Sequence, residues 1–199
     1  MLVTPQFIFI HMPKAGGNFV RAACTGFEVG TFHAGGASIP PEYRHLPVFA
    51  VVRNPWDWYV SWYHFERALP RANVAYMKLT ERGKLGFSET VERACAWKPH
   101  GDLYSILFWT LVGQFEGIEV GRFETLREDF RAFCQRHGVE VDVSGAKLNQ
   151  SSRGPYQDYY SPELRELVAQ SAHRLIDRYG YAFEELLVPS SAAGGSSST

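Results

Sequence analysis

Phe7-Ile8-Phe9-Ile10-His11-Met12-Pro13-Lys14-Ala15-Gly16-Gly17-Asn18-Phe19-Val20 is the stretch that decides how this chain reads. Phe7 to His11 is a short apolar run rich in Phe and Ile, the pattern of a buried strand. It breaks into a Pro-Lys-Ala-Gly-Gly turn, and the periodic run from Gly17 to Cys24 that follows predicts a helix. The same order recurs twice. Val48 to Val52 leads into Trp56 to Phe65, and Ile118 to Phe123 leads into Leu126 to His137. Three strand-then-helix units predict an α/β fold with a mostly parallel sheet. Ligands of such sheets bind beyond the carboxyl ends of the strands, so the turns after the first two strands are where chemistry is expected.

Composition sets the outer limits. The 199 residues are 45% hydrophobic and 21% charged, which fits a globular chain and excludes a disordered one. One domain over 1–188 is expected, followed by a flexible Ser/Gly-rich tail over 189–199. Twenty basic against 21 acidic residues leave a net charge of −1. That argues against a general nucleic-acid or membrane-surface binder, whose affinity comes from a basic excess, while leaving room for a local anion pocket. Cys24, Cys95 and Cys134 are too far apart and too few for a disulfide framework or a C-x-x-C zinc site, and read as reduced thiols. With no basic leader and no apolar run of about 20 residues, a cytoplasmic location is expected. Near the end, Ser161 reads as the cap of a helix running from Pro162 to Tyr179, and Gly180 as its stop.

In the first turn, the paired glycines allow a sharp bend and close approach of a ligand. The amides opening the next helix then face the turn as an anion site, and Lys14 adds a point charge. An ordinary tight turn with a solvated lysine is the plain alternative. The nucleotide-binding pattern G-x-x-x-x-G-K-[ST] is absent, because Lys14 precedes the glycines and neither Ser nor Thr follows it; this disfavours ordinary ATP or GTP hydrolysis. The second turn reads Arg53-Asn54-Pro55-Trp56-Asp57-Trp58-Tyr59-Val60-Ser61. Pro55 pushes Asn54 out of the helical region, so Arg53 sits on a bend at the strand end. Its planar fork suits a phosphate dianion and the Ser61 hydroxyl can complete the donor ring. The plain alternative is an arginine paired with Asp57.

The two turns in this order resemble the PAPS-dependent sulfotransferases, in particular the carbohydrate-type and small bacterial members. There the first turn reads Pro-Lys-x-Gly-Gly-Thr and the second Arg-Asn-Pro-x-Asp-Arg-x-Val-Ser. Gly121-Arg122-Phe123-Glu124-Thr125-Leu126 is similar to a later strand-to-helix motif of that family, and the segment from Asn149 through the Ser161–Tyr181 helix is similar to its end. The resemblance spans residues 5 to 187, with two strong motifs and two weak ones. It implies a P-loop-like three-layer fold, with a mostly parallel central sheet flanked by helices. Two residues depart from the pattern: Asn18 stands at a Thr or Ser position and Trp58 at an Arg position.

The resemblance implies transfer of a sulfuryl group from PAPS to an acceptor hydroxyl, leaving PAP, with no metal. Lys14 is implied as the catalytic cation on the leaving-group oxygen. The amides of Ala15, Gly16, Gly17, Asn18 and Phe19 are implied at the 5′-phosphate, and Arg53, Ser61 and the late-loop Arg153 at the 3′-phosphate. For a general base the candidates are His11, His33, His64, His100 and Glu66. His33 is preferred because it follows Thr31-Phe32 at the expected end of a short strand between the two motifs, as in carbohydrate members with a histidine base. An unperturbed imidazole pKa of about 6.5 suits that task. His11 is expected to orient the first turn. The stretch from Phe65 to Trp109, with Tyr76, Trp97, Tyr104, Phe108 and Trp109, is expected to hold a small-molecule or carbohydrate acceptor, although such aromatics are more often core. The other readings are an inactive PAP-binding module and a P-loop-like kinase.

Overall fold

A computed structural model of the chain describes residues 1–29, 33–70, 73–98, 101–113, 115–143 and 153–184. In chain order its first half contains β1 (Leu2–Val3), β2 (Ile8–Ile10), α1 (Gly17–Ala23), β3 (Phe27–Glu28), β4 (Val48–Val52) and α2 (Pro55–Ala68). Next come α3 (Val74–Leu79), α4 (Phe87–Cys95), α5 (Leu103–Leu111), β5 (Ile118–Arg122), α6 (Leu126–Arg136), α7 (Pro162–Ser171) and α8 (His173–Tyr179). The three strand-then-helix units of the sequence are β2–α1, β4–α2 and β5–α6. They form one side of a five-stranded sheet ordered β3-β1-β2-β4-β5.

Strands β2, β4 and β5 are parallel, with Ile8 opposite Val48 and Val48 opposite Ile118. Every side chain of β4 is buried, which fits a strand covered on both faces. Phe7 and Phe49 meet Phe130 and Phe133 of α6, with ring centroids 4.8–5.8 Å apart, and Phe19 of α1 closes on Phe130 at 6.4 Å. Helices α4, α5 and α7 pack on α2, and the Trp56 indole donates to the Arg165 carbonyl at 3.0 Å, tying α7 to the start of α2.

Three features differ from the sequence reading. The sheet gains β1 and β3, which pair antiparallel through β1; two-residue strands are too short to show a period. β3 ends at Glu28, so His33 lies in a turn rather than at a strand end, and Thr31 and Phe32 fall outside the described residues. The helix expected from Pro162 to Tyr179 is broken at Ala172. There the Ser171 hydroxyl donates back to the Leu167 carbonyl at 2.7 Å and His173 Nδ1 lies 2.9 Å from the Gln170 carbonyl, side-chain bonds that compete with the helical ladder. The ends of that segment match the expectation. Ser161 Oγ accepts from the Leu164 amide at 3.2 Å, and Gly180 stops α8 at φ 65°. The expected tail over 189–199 lies outside the described residues.

Candidate functional site

The turn after β2 is held in a left-handed backbone. Lys14 has φ 60° and Gly16 φ 82°. For lysine that conformation costs of order 1–3 kcal/mol, and it persists because the Arg53 guanidinium donates from Nη1 to the Lys14 carbonyl at 2.7 Å. Both glycines are required by space. A Cβ on Gly16 would lie 2.3 Å from Leu126 Cδ2, and one on Gly17 would lie 1.9 Å from His11 Nε2. The His11 ring therefore fills the place that a side chain at 17 would take.

The amides of this turn divide into two groups. Ala15 N–H donates to the Met12 carbonyl at 3.3 Å and Phe19 N–H to the Gly16 carbonyl at 2.9 Å. The amides of Gly16, Gly17 and Asn18 make no bond to the described residues, and they sit together at the mouth of α1. The Asn18 side chain is exposed beside them.

Lys14 is half-buried, its Nζ 3.8 Å from the centre of the Phe65 ring. Burial lowers its pKa to about 8, with Arg53 and Arg153 adding repulsion and Glu66 working the other way. These influences place Lys14 in a cationic pocket. Phe65 follows Ser61 and Asp57 at helical spacing on α2, so one stripe of that helix carries all three.

Arg53, buried at the end of β4, is fixed on every side. Its Nε and Nη2 donate to Asp57 Oδ2 at 2.9 and 2.6 Å, and its guanidinium lies 3.9 Å over the Phe123 ring. The Tyr104 hydroxyl accepts from the Arg53 amide at 2.8 Å and donates to the Arg53 carbonyl at 2.9 Å. The pairing with Asp57 is thus present, but it is only half of the arrangement. Arg153 Nη2 bonds the other oxygen, Asp57 Oδ1, so one carboxylate gathers two guanidiniums from residues far apart in the chain. Ser61, one helical turn beyond Asp57, is buried and makes no side-chain bond to the described residues.

The bend itself is capped. Asn54 Oδ1 accepts from the amides of Trp56 and Asp57 at 3.0 and 3.3 Å, and the Asn54 amide donates to Glu124 Oε1 at 2.8 Å. Phe123, Glu124 and Leu126 of the third motif therefore brace both turns: a ring under Arg53, a carboxylate on Asn54 and a methyl against Gly16. Trp58, where the sulfotransferase pattern has Arg, is fully buried. Its indole donates to the Pro13 carbonyl at 2.8 Å and stacks on Tyr104 with centroids 4.4 Å apart. It links the two turns through packing.

His33 stands at the edge of the first turn. Its ring lies 4.9 Å from the His11 ring and its Nδ1 is 3.1 Å from the His11 carbonyl. A carbonyl only accepts, so Nδ1 carries the hydrogen and Nε2 keeps its lone pair. Burial holds the His33 pKa below the usual imidazole value, and burial drives His11 to about 3, with His33 the next cause. His100 lies outside the described residues. His64 packs on Tyr159, and Glu66 is buried with Oε2 accepting from the Asn73 amide at 2.8 Å.

The aromatics expected to form the acceptor site divide. Tyr104 and Phe108 are fully buried core residues, and Tyr76, itself buried, also borders a cleft of about 510 Å³ between the end of α2 and the turn after α3. Glu66, the neighbour of Phe65, lines the same cleft. Three residues were not legible as site components: Tyr104 as the pin of Arg53, Asp57 as the bridge to Arg153, and Phe65 under Lys14. Only Asp57 had a local signal, its i+4 spacing from Arg53.

The fold is of the α/β class, a five-stranded sheet with its parallel strands flanked by helices. Neither a protein-family model nor a curated protein matches the chain. Among solved structures, the mouse sulfotransferase SULT7A1 complexed with PAP aligns with 89% of this chain and 89% of its own, at 15% identity and a TM-score of 0.47. A sulfotransferase from Alicyclobacillus acidocaldarius aligns with 71% of this chain and 59% of its own, at 18% identity and a TM-score of 0.34. No helix among the described residues is long and apolar enough to cross a membrane.

Proposed function

We propose that this chain is a sulfotransferase that moves the sulfuryl group of PAPS to a hydroxyl of a small glycan, glycolipid or secondary metabolite. The observation that carries the reading is the convergence of three cations on a glycine turn. Arg53 binds the backbone of Lys14, and Asp57 joins Arg53 to Arg153. Two features suit a bis-phosphorylated nucleotide at its two ends: the amides of Gly16, Gly17 and Asn18 make no bond to the described residues, and two guanidiniums meet on Asp57 where a second phosphate is to be held.

In this reading the amides of Gly16, Gly17 and Asn18 hold the 5′-phosphate, with Ala15 and Phe19 shaping the turn that presents them. Arg53, Arg153 and Ser61 hold the 3′-phosphate. PAPS supplies the activated sulfuryl group. Lys14 directs its ammonium at the oxygen on which charge develops, an interaction worth ~10²–10³ in rate when a single donor is lost. His33 takes the acceptor proton at Nε2, its Nδ1–H anchored on the His11 carbonyl.

The test is a calorimetric titration of PAP and of ADP, which lacks the 3′-phosphate, into the wild-type protein and Arg53→Ala. Wild-type protein is expected to favour PAP. Arg53→Ala should lose roughly 1.5–3 kcal/mol more toward PAP than toward ADP, the usual worth of a hydrogen bond to a charged group, and any loss common to both reports the Lys14 turn that Arg53 braces. Equal losses for both nucleotides would remove the 3′ clamp. Tight PAP binding without any consumption of PAPS across an acceptor panel would make the chain a binding module.

A further inference from the structure

The cleft at the end of α2 is not uniform. Its apolar lining is Leu69, Pro70, Tyr76 and Met77, and its charged lining is Glu66, Arg67 and Arg82. Two of these charges are tethered: Glu66 accepts from the Asn73 amide, and Arg67 Nη1 donates to the Tyr63 hydroxyl at 2.6 Å. Arg82 makes no side-chain hydrogen bond or ion pair with the described residues. It is carried by an unusual backbone, because Glu81, Arg82 and Gly83 have φ of 49°, 63° and 85° in succession. Two consecutive non-glycine residues in the left-handed region persist only where surrounding bonds over-determine them. Here the Arg82 amide donates to the Met77 carbonyl at 2.7 Å. The buried Thr80 hydroxyl accepts from the Gly83 amide at 2.9 Å. Glu81 meanwhile pairs with Arg93 of α4, at 2.7 Å.

We infer that this cleft receives the acceptor and selects molecules that carry an anionic group beside an apolar body, with Arg82 as the residue that reads the charge. The inference rests on the sulfotransferase reading for the word acceptor. The charge preference of the cleft stands apart from it. The Glu66 carboxylate of the cleft wall is near enough to the Lys14 ammonium to act on it, and the preceding residue, Phe65, lies under that ammonium, so the cleft and the Lys14 pocket share this end of α2.

Three phenols of one frame test this: 4-hydroxyphenylacetate, 4-ethylphenol and tyramine, anionic, neutral and cationic. Binding to the full chain is measured with and without saturating PAP. The anionic phenol should bind about tenfold or more tightly than the neutral one, the scale of a charge-assisted hydrogen bond. Arg82→Gly should erase that step and leave 4-ethylphenol unchanged. Glycine is at ease at φ 63°, so its melting temperature should stay level or rise. Arg82→Lys should keep most of the preference, and Arg131→Ala, an exposed cation on α6, should keep all of it. Tighter binding of tyramine would show that Glu66 governs the cleft and would overturn the inference, as would a preference that survives in Arg82→Gly. If PAP itself fails to bind, the cofactor reading falls, and the phenol series without PAP still decides the cleft.

Discussion

The turn after β2 and the turn after β4 face the same space and are built by opposite means. The first relies on backbone. Lys14 and Gly16 are left-handed, Gly17 has no room for a side chain, and three neighbouring amides make no bond to the described residues. The second relies on side chains. Arg53 is gripped by Asp57, by the Tyr104 hydroxyl and by the Phe123 ring, and Asn54 is capped from Glu124. The two are joined by one strong bond, from Arg53 to the Lys14 carbonyl, and by the Trp58 indole on the Pro13 carbonyl. A backbone site gives close approach with little selectivity, because any phosphate suits an amide cradle. A fixed guanidinium gives geometry, because its fork accepts only an anion presented at the right place. On the proposed function, affinity for a phosphate belongs to the first turn and discrimination between nucleotides to the second.

The largest expected effect lies in the first turn, at its one charged side chain. Lys14→Ala should lower turnover by ~10²–10³ while moving the melting temperature little. Only the ammonium form can stabilise developing negative charge. Since burial and the neighbouring arginines bring the Lys14 pKa to about 8, kcat/KM should fall as pH rises through about 8. On the acid side it should rise as His33 loses its proton, with a midpoint below the usual imidazole value. Initial rates over pH 5 to 10 show both limbs. An alkaline limb that persists unchanged in Lys14→Ala would take that role from Lys14 and leave the first turn as pure backbone.

How far the sequence alone carried this picture follows from the same contrast. The first turn was legible because glycine and proline report backbone geometry directly, and Lys14 stands between them. Strand β4 was read at its observed ends because five consecutive apolar residues have no solvated face. The pins of the second turn were hidden: Tyr104 lies 51 residues from Arg53 and Arg153 lies 96 from Asp57. No local pattern marks such pairs, and an aromatic residue at Tyr104 reads as core, which by burial it also is. Trp58 shows the same limit. The sequence marks the loss of a cation there, and only the fold shows an indole holding the other turn. The cleft at Arg82 was invisible for a further reason, since nothing in Glu-Arg-Gly announces three left-handed residues in a row.

A second, smaller effect separates pinning from packing. Tyr104→Phe keeps the ring stacked on Trp58 and removes only the hydroxyl that serves both the amide and the carbonyl of Arg53. Leaving a buried backbone group unpartnered costs roughly 1–3 kcal/mol. For a chain of this size that lowers the melting temperature by a few degrees, at about 2–4 °C for each kcal/mol. If the second turn carries discrimination, the ratio of PAP to ADP affinity should shrink in this variant while ADP affinity holds. An unchanged ratio would mean that Asp57 and Phe123 suffice to set Arg53, and that the Tyr104 hydroxyl serves stability alone.

The smallest expected effect is the sharpest test of a backbone-built first turn. Asn18 departs from the sulfotransferase pattern, yet its side chain is exposed and makes no hydrogen bond to the described residues. If the cradle consists of amides, the Asn18 N–H contributes whatever the side chain is. Asn18→Thr should then change PAP affinity by less than about 1 kcal/mol, roughly fivefold, the net worth of one neutral hydrogen bond. Turnover set by Lys14 should stay level. A gain well beyond that, read in the PAP titration, would show that a hydroxyl at position 18 contacts the phosphate directly. The first turn would then work by side chain as well, and the division between an amide cradle and a guanidinium gauge would give way to two turns that share both tasks.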